Sequence, residues 1–182
     1  MLYEKLPLWK RDEYKGADEN QTPTITVFSL KGRKSRPAVI IFPGGGYDHL
    51  APGEGETVAM QFLSQGLQAF IVHYSVAPNT HPQPLMDASR AVCMVRDDCE
   101  RWRVDPNQIA VIGFSAGAHL ATSLCTNYMD SCLQTIPGMA KDKNRPNLLI
   151  SCYGVITAGE YAHKGSFSAL FGGDEKRYNE LS

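Results

Sequence analysis

Four apolar runs that alternate with helix-like segments constrain the fold of this 182-residue chain more than any other feature. The runs are "PAVIIFP" (37–43), "LQAFIVHYS" (67–75), "QIAVIGF" (108–114) and "NLLISCYGVI" (147–156). Continuous apolar runs of this length are typical of strands that are buried on both faces. Strands that alternate with helices form a mostly parallel sheet with helices on both faces. We therefore predict a doubly wound α/β fold.

The predicted helices lie between these strands, and shorter elements flank them. Helices are predicted at 56–66, 84–103 and 115–128, with a short helix at 166–172. The alternating segment "TITVFSL" (24–30) predicts a half-buried strand. Residues 1–22 are polar and predict irregular structure. The full 182 residues are enough for one domain with a core, so we treat 1–182 as a single domain.

The composition argues against several classes of partner. The chain has 18 basic and 19 acidic residues and a net charge of −1, so it has no field that attracts nucleic acid or an anionic membrane. No apolar run approaches the ~18 residues of a transmembrane helix. The start, "MLYEKLPLWKRDEYKG", contains no apolar signal segment. Five cysteines without a CxxC pair argue against a zinc site or a disulfide framework. We expect buried thiols and a cytoplasmic location.

Ser115 lies in "GFSAG" (113–117), directly after an apolar run and directly before a segment of small residues. On a tight turn between a strand and a helix, a serine hydroxyl is lifted above the sheet, and the flanking glycines allow the turn to close. The N-terminus of the following helix stabilises negative charge. The pattern predicts that Ser115 is a nucleophile. The alternative is an ordinary turn in which Ser115 is the N-cap of the helix.

Acyl transfer also needs hydrogen-bond donors for the developing oxyanion, and backbone N–H groups serve this purpose. The N–H group of Ala116, directly after the serine, is one candidate. A second donor is expected in a loop after an earlier strand. The glycines of "FPGGGY" (42–47) allow the backbone to approach a substrate closely. The alternative is a mobile surface loop, whereas a phosphate loop is a poor fit because no GK[ST] follows.

Five segments in combination resemble a known family. They are "IIFPGGGY", "HYSVAP", "PLMDASRAVCMVR", "WRVDPNQIAVIGFSAGAHLA" and "HKGSFSALFGG". The combination resembles the α/β-hydrolase fold. More narrowly, it resembles the small carbohydrate-esterase-like branch, which includes acetyl xylan esterases and feruloyl-esterase-like proteins. Pro43 stands where the HGGG lipases and esterases have histidine, which favours the carbohydrate-esterase branch.

This resemblance implies a set of site residues. The implied nucleophile is Ser115, the implied oxyanion donors are Gly45, Gly46 and Ala116, and the candidates for the pocket wall are Tyr47, His49 and His163. The resemblance implies no metal and no organic cofactor. The implied substrate is a small-molecule ester, namely an acylated sugar.

The general base of the triad is missing from its expected place. In this fold the chain order is serine, then Asp or Glu, then histidine. The histidines are His49, His73, His81, His119 and His163. The first three precede Ser115, and the fourth lies one turn along the same predicted helix. The last lies after the final strand, in a segment that resembles a pocket wall rather than the base. Asp142 and Asp174 lie in polar loops and are poor candidates for the acid.

The run at 147–156 suits a strand with neighbours on both sides, yet it is the last predicted strand. Open apolar edges promote aggregation. In the α/β-hydrolase fold, two more strands follow and carry the acid and the histidine. We therefore hypothesise that the chain is an N-terminal portion of a longer hydrolase. The edge of this strand is expected to be bare, or covered by another chain or a second copy.

The expected function is a serine esterase that deacylates small, acetyl-type carbohydrate esters through an acyl-enzyme on Ser115. An amide-cleaving relative, such as a formamidase or a small peptidase, would use the same acyl chemistry. A third alternative is a non-catalytic hydrolase-like fragment, which the missing base favours. The fold alone does not decide among substrates.

Overall fold

A six-stranded sheet forms the centre of the computed structural model, which describes residues 1–18 and 20–182. Its strands are β1 (Leu2–Pro7), β2 (Thr24–Ser29), β3 (Arg36–Phe42), β4 (Gln68–His73), β5 (Val104–Phe114) and β6 (Leu148–Cys152). Their order across the sheet is β1-β2-β4-β3-β5-β6. Neighbours from β4 to β6 are parallel, whereas β1 and β2 are antiparallel to their neighbours. The predicted, mostly parallel α/β sheet is confirmed.

Helices cover both faces of this sheet. They are α1 (Glu56–Ser64), α2 (Gln83–Asp97), α3 (Cys99–Trp102), α4 (Ala116–Asn127), α5 (Ser131–Gln134) and α6 (Lys164–Phe171), with 3-10 helices at Pro52–Glu54 and Glu175–Leu181. The larger core cluster includes buried residues of α2, α4 and α6, and the smaller one includes residues of α1. Within the described ranges, no helix combines the length and the apolar character needed to cross a membrane.

Strand β3 shows why a continuous apolar run was needed. Ile40 and Phe42 belong to the larger cluster, whereas Val39 and Ile41 belong to the smaller cluster on the opposite face. Side chains on a strand alternate between faces, so a strand covered on both sides needs apolar residues at every position. Each buried side chain of this size stabilises the fold by roughly 1.5–3 kcal/mol.

The N-terminal segment differs from the prediction. Residues 1–22 were expected to be irregular, but Leu2–Pro7 form β1 at one edge of the sheet. Its side chains alternate between partly buried and exposed positions, which is the pattern of an edge strand with one covered face. The partly buried positions are Leu2, Glu4 and Leu6, and only two of them are apolar, so the apolar signal was weak.

Strand β2 is more buried than its alternating sequence predicted, because β1 shields its outer edge. Thr26 and Ser29 are buried polar residues on this strand, and both are hydrogen-bonded.

The helix predicted at 84–103 is instead divided into α2 and α3 at Asp98. All five cysteines are free thiols, but only Cys93 is fully buried, where burial raises its pKa to about 11.

Strand β6 lies at the opposite edge from β1. Within the described residues it pairs only with β5, and Leu148 is 58% exposed. Within the described residues, the outer edge of β6 is therefore unpaired, and the strand is shorter than the predicted run at 147–156. The inner side of this edge strand matters for the site, because the carbonyl of Cys152 accepts a 3.0 Å hydrogen bond from the N–H group of Ser115.

Candidate active site

Ser115 occupies the turn between β5 and α4, as the sequence predicts. Its φ and ψ are 50° and −117°, and positive φ is a strained conformation for a residue with a side chain. Ser115 stands at the N-cap position, but its side chain accepts no capping hydrogen bond. Its hydroxyl also makes no hydrogen bond to another described residue. A capping role therefore does not explain the strain.

The two glycines of "GFSAG" are required by close backbone contacts. A Cβ atom on Gly113 would overlap the carbonyl oxygen of Gly117, and a Cβ atom on Gly117 would overlap the carbonyl oxygen of Phe42. The first contact presses the turn onto α4, and the second presses α4 onto the end of β3. The motif thus brings Ser115 to the carboxyl ends of two adjacent parallel strands, where α/β folds bind ligands.

The glycine loop after β3 lies beside the serine. Gly45 and Gly46 have φ values of 122° and 67°, and a Cβ atom on Gly45 would overlap the carbonyl oxygen of His49. Within the described residues, no acceptor is hydrogen-bonded to the N–H groups of Gly45, Gly46 or Ala116. These N–H groups are therefore available to a ligand.

A cavity of 880 Å³ opens in front of these groups. Its wall includes Gly45, Gly46, Ser115, His49, His163 and Tyr153. Ala116 is buried directly behind Ser115, at the start of α4. The structure therefore brings the predicted nucleophile together with two of the predicted donors in one cavity and leaves the third directly behind the nucleophile.

The residues expected in the pocket wall have different positions. His49 and His163 line the cavity, and Nδ1 of His163 accepts a hydrogen bond from the N–H group of Ser166 at the start of α6. Tyr47, which we expected in the wall, is instead buried beneath the loop and only 2% exposed. Its positive φ of 62° turns the side chain into the core, where its hydroxyl contacts His119.

Within the described residues, no histidine is hydrogen-bonded to the side chain of Ser115. His119 is buried and bonded to Tyr47 and to the carbonyl of Leu181, and burial lowers its pKa. The described residues contain one Asp–His contact, between the exposed neighbours Asp48 and His49, at 3.4 Å. Neither of these side chains is hydrogen-bonded to Ser115. The described side chains therefore offer Ser115 no hydrogen-bonded base.

A family model described as BD-FAE matches residues 27–175, which include the serine turn and the glycine loop. The chain belongs to the BD-FAE family. The match also includes the end of β2 and all of β3 to β6, so the family covers most of the sheet that positions the site as well as the site itself.

Similar proteins agree with this membership. Endo-1,4-beta-xylanase B of Butyrivibrio fibrisolvens is 33% identical over 170 residues, and the match covers 91% of this chain and 27% of that protein. Acetylxylan esterase of Xylanibacter ruminicola is 32% identical over 142 residues, covering 77% of this chain and 27% of that protein. The chain thus spans about a quarter of the length of these curated relatives.

A solved structure extends the comparison to the fold. The acetyl ester-xyloside bifunctional hydrolase of Caldicellulosiruptor lactoaceticus superimposes with a TM-score of 0.85 and 36% identity, covering 98% of this chain and 68% of that one. The α/β-hydrolase fold and the resemblance to carbohydrate esterases are confirmed for this BD-FAE chain.

Two polar residues that the sequence patterns did not single out also border the cavity. Glu54 and Tyr153 are 99 residues apart, yet the tyrosine hydroxyl donates a 2.7 Å hydrogen bond to Oε1 of Glu54. The position of Glu54 within the glycine-rich loop was a signal that could have drawn attention to it. Nothing local in the sequence connects it with Tyr153.

Proposed function

We propose that this BD-FAE chain provides the nucleophile and the oxyanion hole of a serine esterase that hydrolyses acetyl-type esters of small carbohydrates. The carrying observation is that strained Ser115 shares a cavity with the free N–H groups of Gly45 and Gly46. The names of the similar proteins, an acetylxylan esterase and an acetyl ester-xyloside hydrolase, support an acetylated sugar as the substrate class.

In the proposed reaction, Oγ of Ser115 attacks the ester carbonyl carbon while a base takes the hydroxyl proton. The carbonyl oxygen becomes an oxyanion that accepts hydrogen bonds from Gly45, Gly46 and Ala116. The sugar oxygen leaves with the proton from the base, and water then hydrolyses the acyl-enzyme. Removal of one such donor costs on the order of 3–4 kcal/mol of transition-state stabilisation in known enzymes.

The base is proposed to be a histidine outside residues 1–182. This proposal follows from the hydrogen bonds of Ser115, none of which involves a described histidine or carboxylate side chain. The same observation favours a second candidate function, a non-catalytic hydrolase-like chain. The two candidates differ in whether Ser115 forms an acyl-enzyme.

Turnover of p-nitrophenyl acetate distinguishes the serine esterase from the non-catalytic hydrolase-like chain. The assay compares this chain, Ser115→Ala and any longer native form of the protein, with the exposed Ser131→Ala as a matched control. We expect Ser115-dependent turnover in the native form and unchanged turnover in Ser131→Ala. Release of acetate from acetylated xylo-oligosaccharides then tests the substrate class. Background turnover in every form would favour the non-catalytic candidate.

A further inference from the structure

We propose that Glu54 is a positioning residue for this reaction: its carboxylate holds the glycine loop beside Ser115 and ties that loop to the end of β6 through Tyr153. The inference rests on the proposed function, because it assigns the residue that fixes the geometry of the proposed oxyanion hole. Glu54 is not assigned to touch the substrate.

The carboxylate of Glu54 joins two separate segments. Oε2 accepts a 2.6 Å hydrogen bond from the N–H group of Gly44, and Oε1 accepts a 2.7 Å hydrogen bond from the hydroxyl of Tyr153. Hydrogen bonds to an ionised acceptor are stronger than neutral ones. A further bond, from the N–H group of Ala51 to the carbonyl of Gly44 at 2.9 Å, closes the loop beside this contact.

Gly44 is the point at which this contact reaches the nucleophile. A Cβ atom on Gly44 would lie 2.8 Å from Oε2 of Glu54 and 3.1 Å from Cβ of Ser115. Gly44 is therefore packed closely against both the carboxylate and the serine, with no room for a side chain. A displacement of Gly44 would change the distance between the following glycine N–H groups and Ser115.

The bond to Glu54 also decides which N–H groups remain free. Gly44 is buried, so its N–H group needs an acceptor, and an unsatisfied buried donor costs about 1–3 kcal/mol. Glu54, which borders the same cavity as Gly45 and Gly46, supplies that acceptor and leaves the N–H groups of the two following glycines free. Without it, we expect the loop to rotate toward another acceptor and the two free N–H groups to lose their orientation.

Tyr153 connects Glu54 to the end of β6, which holds the backbone of Ser115. It follows Cys152, whose carbonyl accepts the N–H group of Ser115, and its ring lies 5.9 Å from that of Phe114, which precedes Ser115. The bond to Glu54 raises the pKa of Tyr153 to about 12, so the hydroxyl remains a donor at neutral pH. A series of contacts therefore runs from Gly44 through Glu54 to Tyr153, and from the neighbouring Cys152 to the backbone of Ser115.

The charge of Glu54 gives no electrostatic help to an oxyanion, because two negative charges repel each other. Its contribution is geometric, and this distinguishes it from an electrostatic role. In Glu54→Gln, the amide oxygen can accept from Gly44 and the amide NH₂ can donate to the hydroxyl oxygen of Tyr153. Both contacts survive without the charge, whereas Glu54→Ala removes both.

The kinetic experiment measures kcat and KM for p-nitrophenyl acetate in the native form of the protein. We expect Glu54→Ala to lower kcat about ten- to a hundredfold with little change in KM, since a misplaced loop weakens transition-state contacts. Glu54→Gln should stay within about threefold of wild type on the same geometric argument. Tyr153→Phe, which removes one of the two bonds, should fall between them. The exposed Glu56→Ala is the matched control and should equal wild type.

Amide hydrogen exchange gives a readout that does not require turnover. In wild type, Gly44 should be protected, whereas Gly45 and Gly46 exchange rapidly. Protection of Gly44 should be lost in Glu54→Ala and kept in Glu54→Gln. Unchanged Gly44 protection in Glu54→Ala, or a kcat for Glu54→Gln as low as that of Glu54→Ala, would overturn this inference. Turnover that does not depend on Ser115 overturns the proposed function instead.

Discussion

The hydroxyl of Tyr47 lies 2.7 Å from Nδ1 of His119, and this contact joins the glycine loop to the helix that follows Ser115. Nε2 of His119 lies 2.7 Å from the carbonyl oxygen of Leu181, which can only accept, so Nε2 carries the proton. Burial lowers the pKa of His119, which favours the neutral form of the ring. Nδ1 therefore accepts from Tyr47, and both ring nitrogens are satisfied.

Tyr47→Phe should destabilise the chain by about 1–3 kcal/mol, because it leaves a buried acceptor on His119 without a donor. Urea denaturation measures the change in the free energy of unfolding. Tyr3→Phe is the matched control, since Tyr3 is 56% exposed and should change stability by less than about 0.5 kcal/mol. Equal effects of the two substitutions would contradict the assigned contact.

Gly117→Ala should destabilise the chain by about 1–3 kcal/mol, because the new methyl group overlaps the carbonyl oxygen of Phe42 and the backbone must shift. Thermal denaturation followed by circular dichroism measures the effect. Gly53→Ala serves as the control, since a Cβ atom there meets nothing within 4 Å. A melting temperature of Gly117→Ala equal to that of Gly53→Ala would show that the close approach of α4 to β3 is not required.

Asp87 should give the chain a pH-dependent stability. Its buried carboxylate accepts hydrogen bonds from Trp9, Ser75 and Gln83, and burial raises its pKa from about 3.8 to about 6. Because the folded state holds the proton more tightly than the unfolded state, the contribution of Asp87 is greatest below about pH 4. It should decline by on the order of 3 kcal/mol as the pH rises through 6.

Asp87→Asn isolates this contribution, because asparagine does not titrate. The free energy of unfolding is measured by urea denaturation of both proteins from pH 4 to pH 7. The difference, wild type minus Asp87→Asn, should fall over this interval and level off above it. A difference that is constant with pH would show that Asp87 has the same pKa in the folded and unfolded states.

We expect this chain to self-associate through the unpaired edge of β6. Leu148→Lys should reduce that association, because it places a charge on the edge and charged edges resist pairing with another strand. Sedimentation at increasing concentration measures the change. Met129→Lys is the matched control, since Met129 is 50% exposed but lies outside the sheet. Identical sedimentation of the wild type and both variants would contradict a role of the β6 edge in association.

The elements that the sequence predicted well are those with strong local patterns. The continuous apolar runs gave the positions of β3, β4 and β5, since strands covered on both faces need apolar residues at every position. The run at 147–156 also gave a strand, β6, but its five residues are only partly buried or exposed. The "GFSAG" turn was recognisable because its glycines meet backbone atoms within the same strand–turn–helix unit or at the adjacent strand end. These signals lie within short stretches of chain, so they can be read without the tertiary structure.

Other features depended on partners that are distant in sequence. Leu2–Pro7 became a strand only by pairing with β2, and the positive φ of Tyr47 directed its ring into the core rather than into the cavity. The contact between Glu54 and Tyr153 spans 99 residues, and no periodicity encodes it. The sequence by itself determined β2 to β6 and the serine turn, because local patterns specify secondary structure. Only the tertiary structure decided which polar groups hold the turn and the glycine loop together, because those contacts form when separate segments pack.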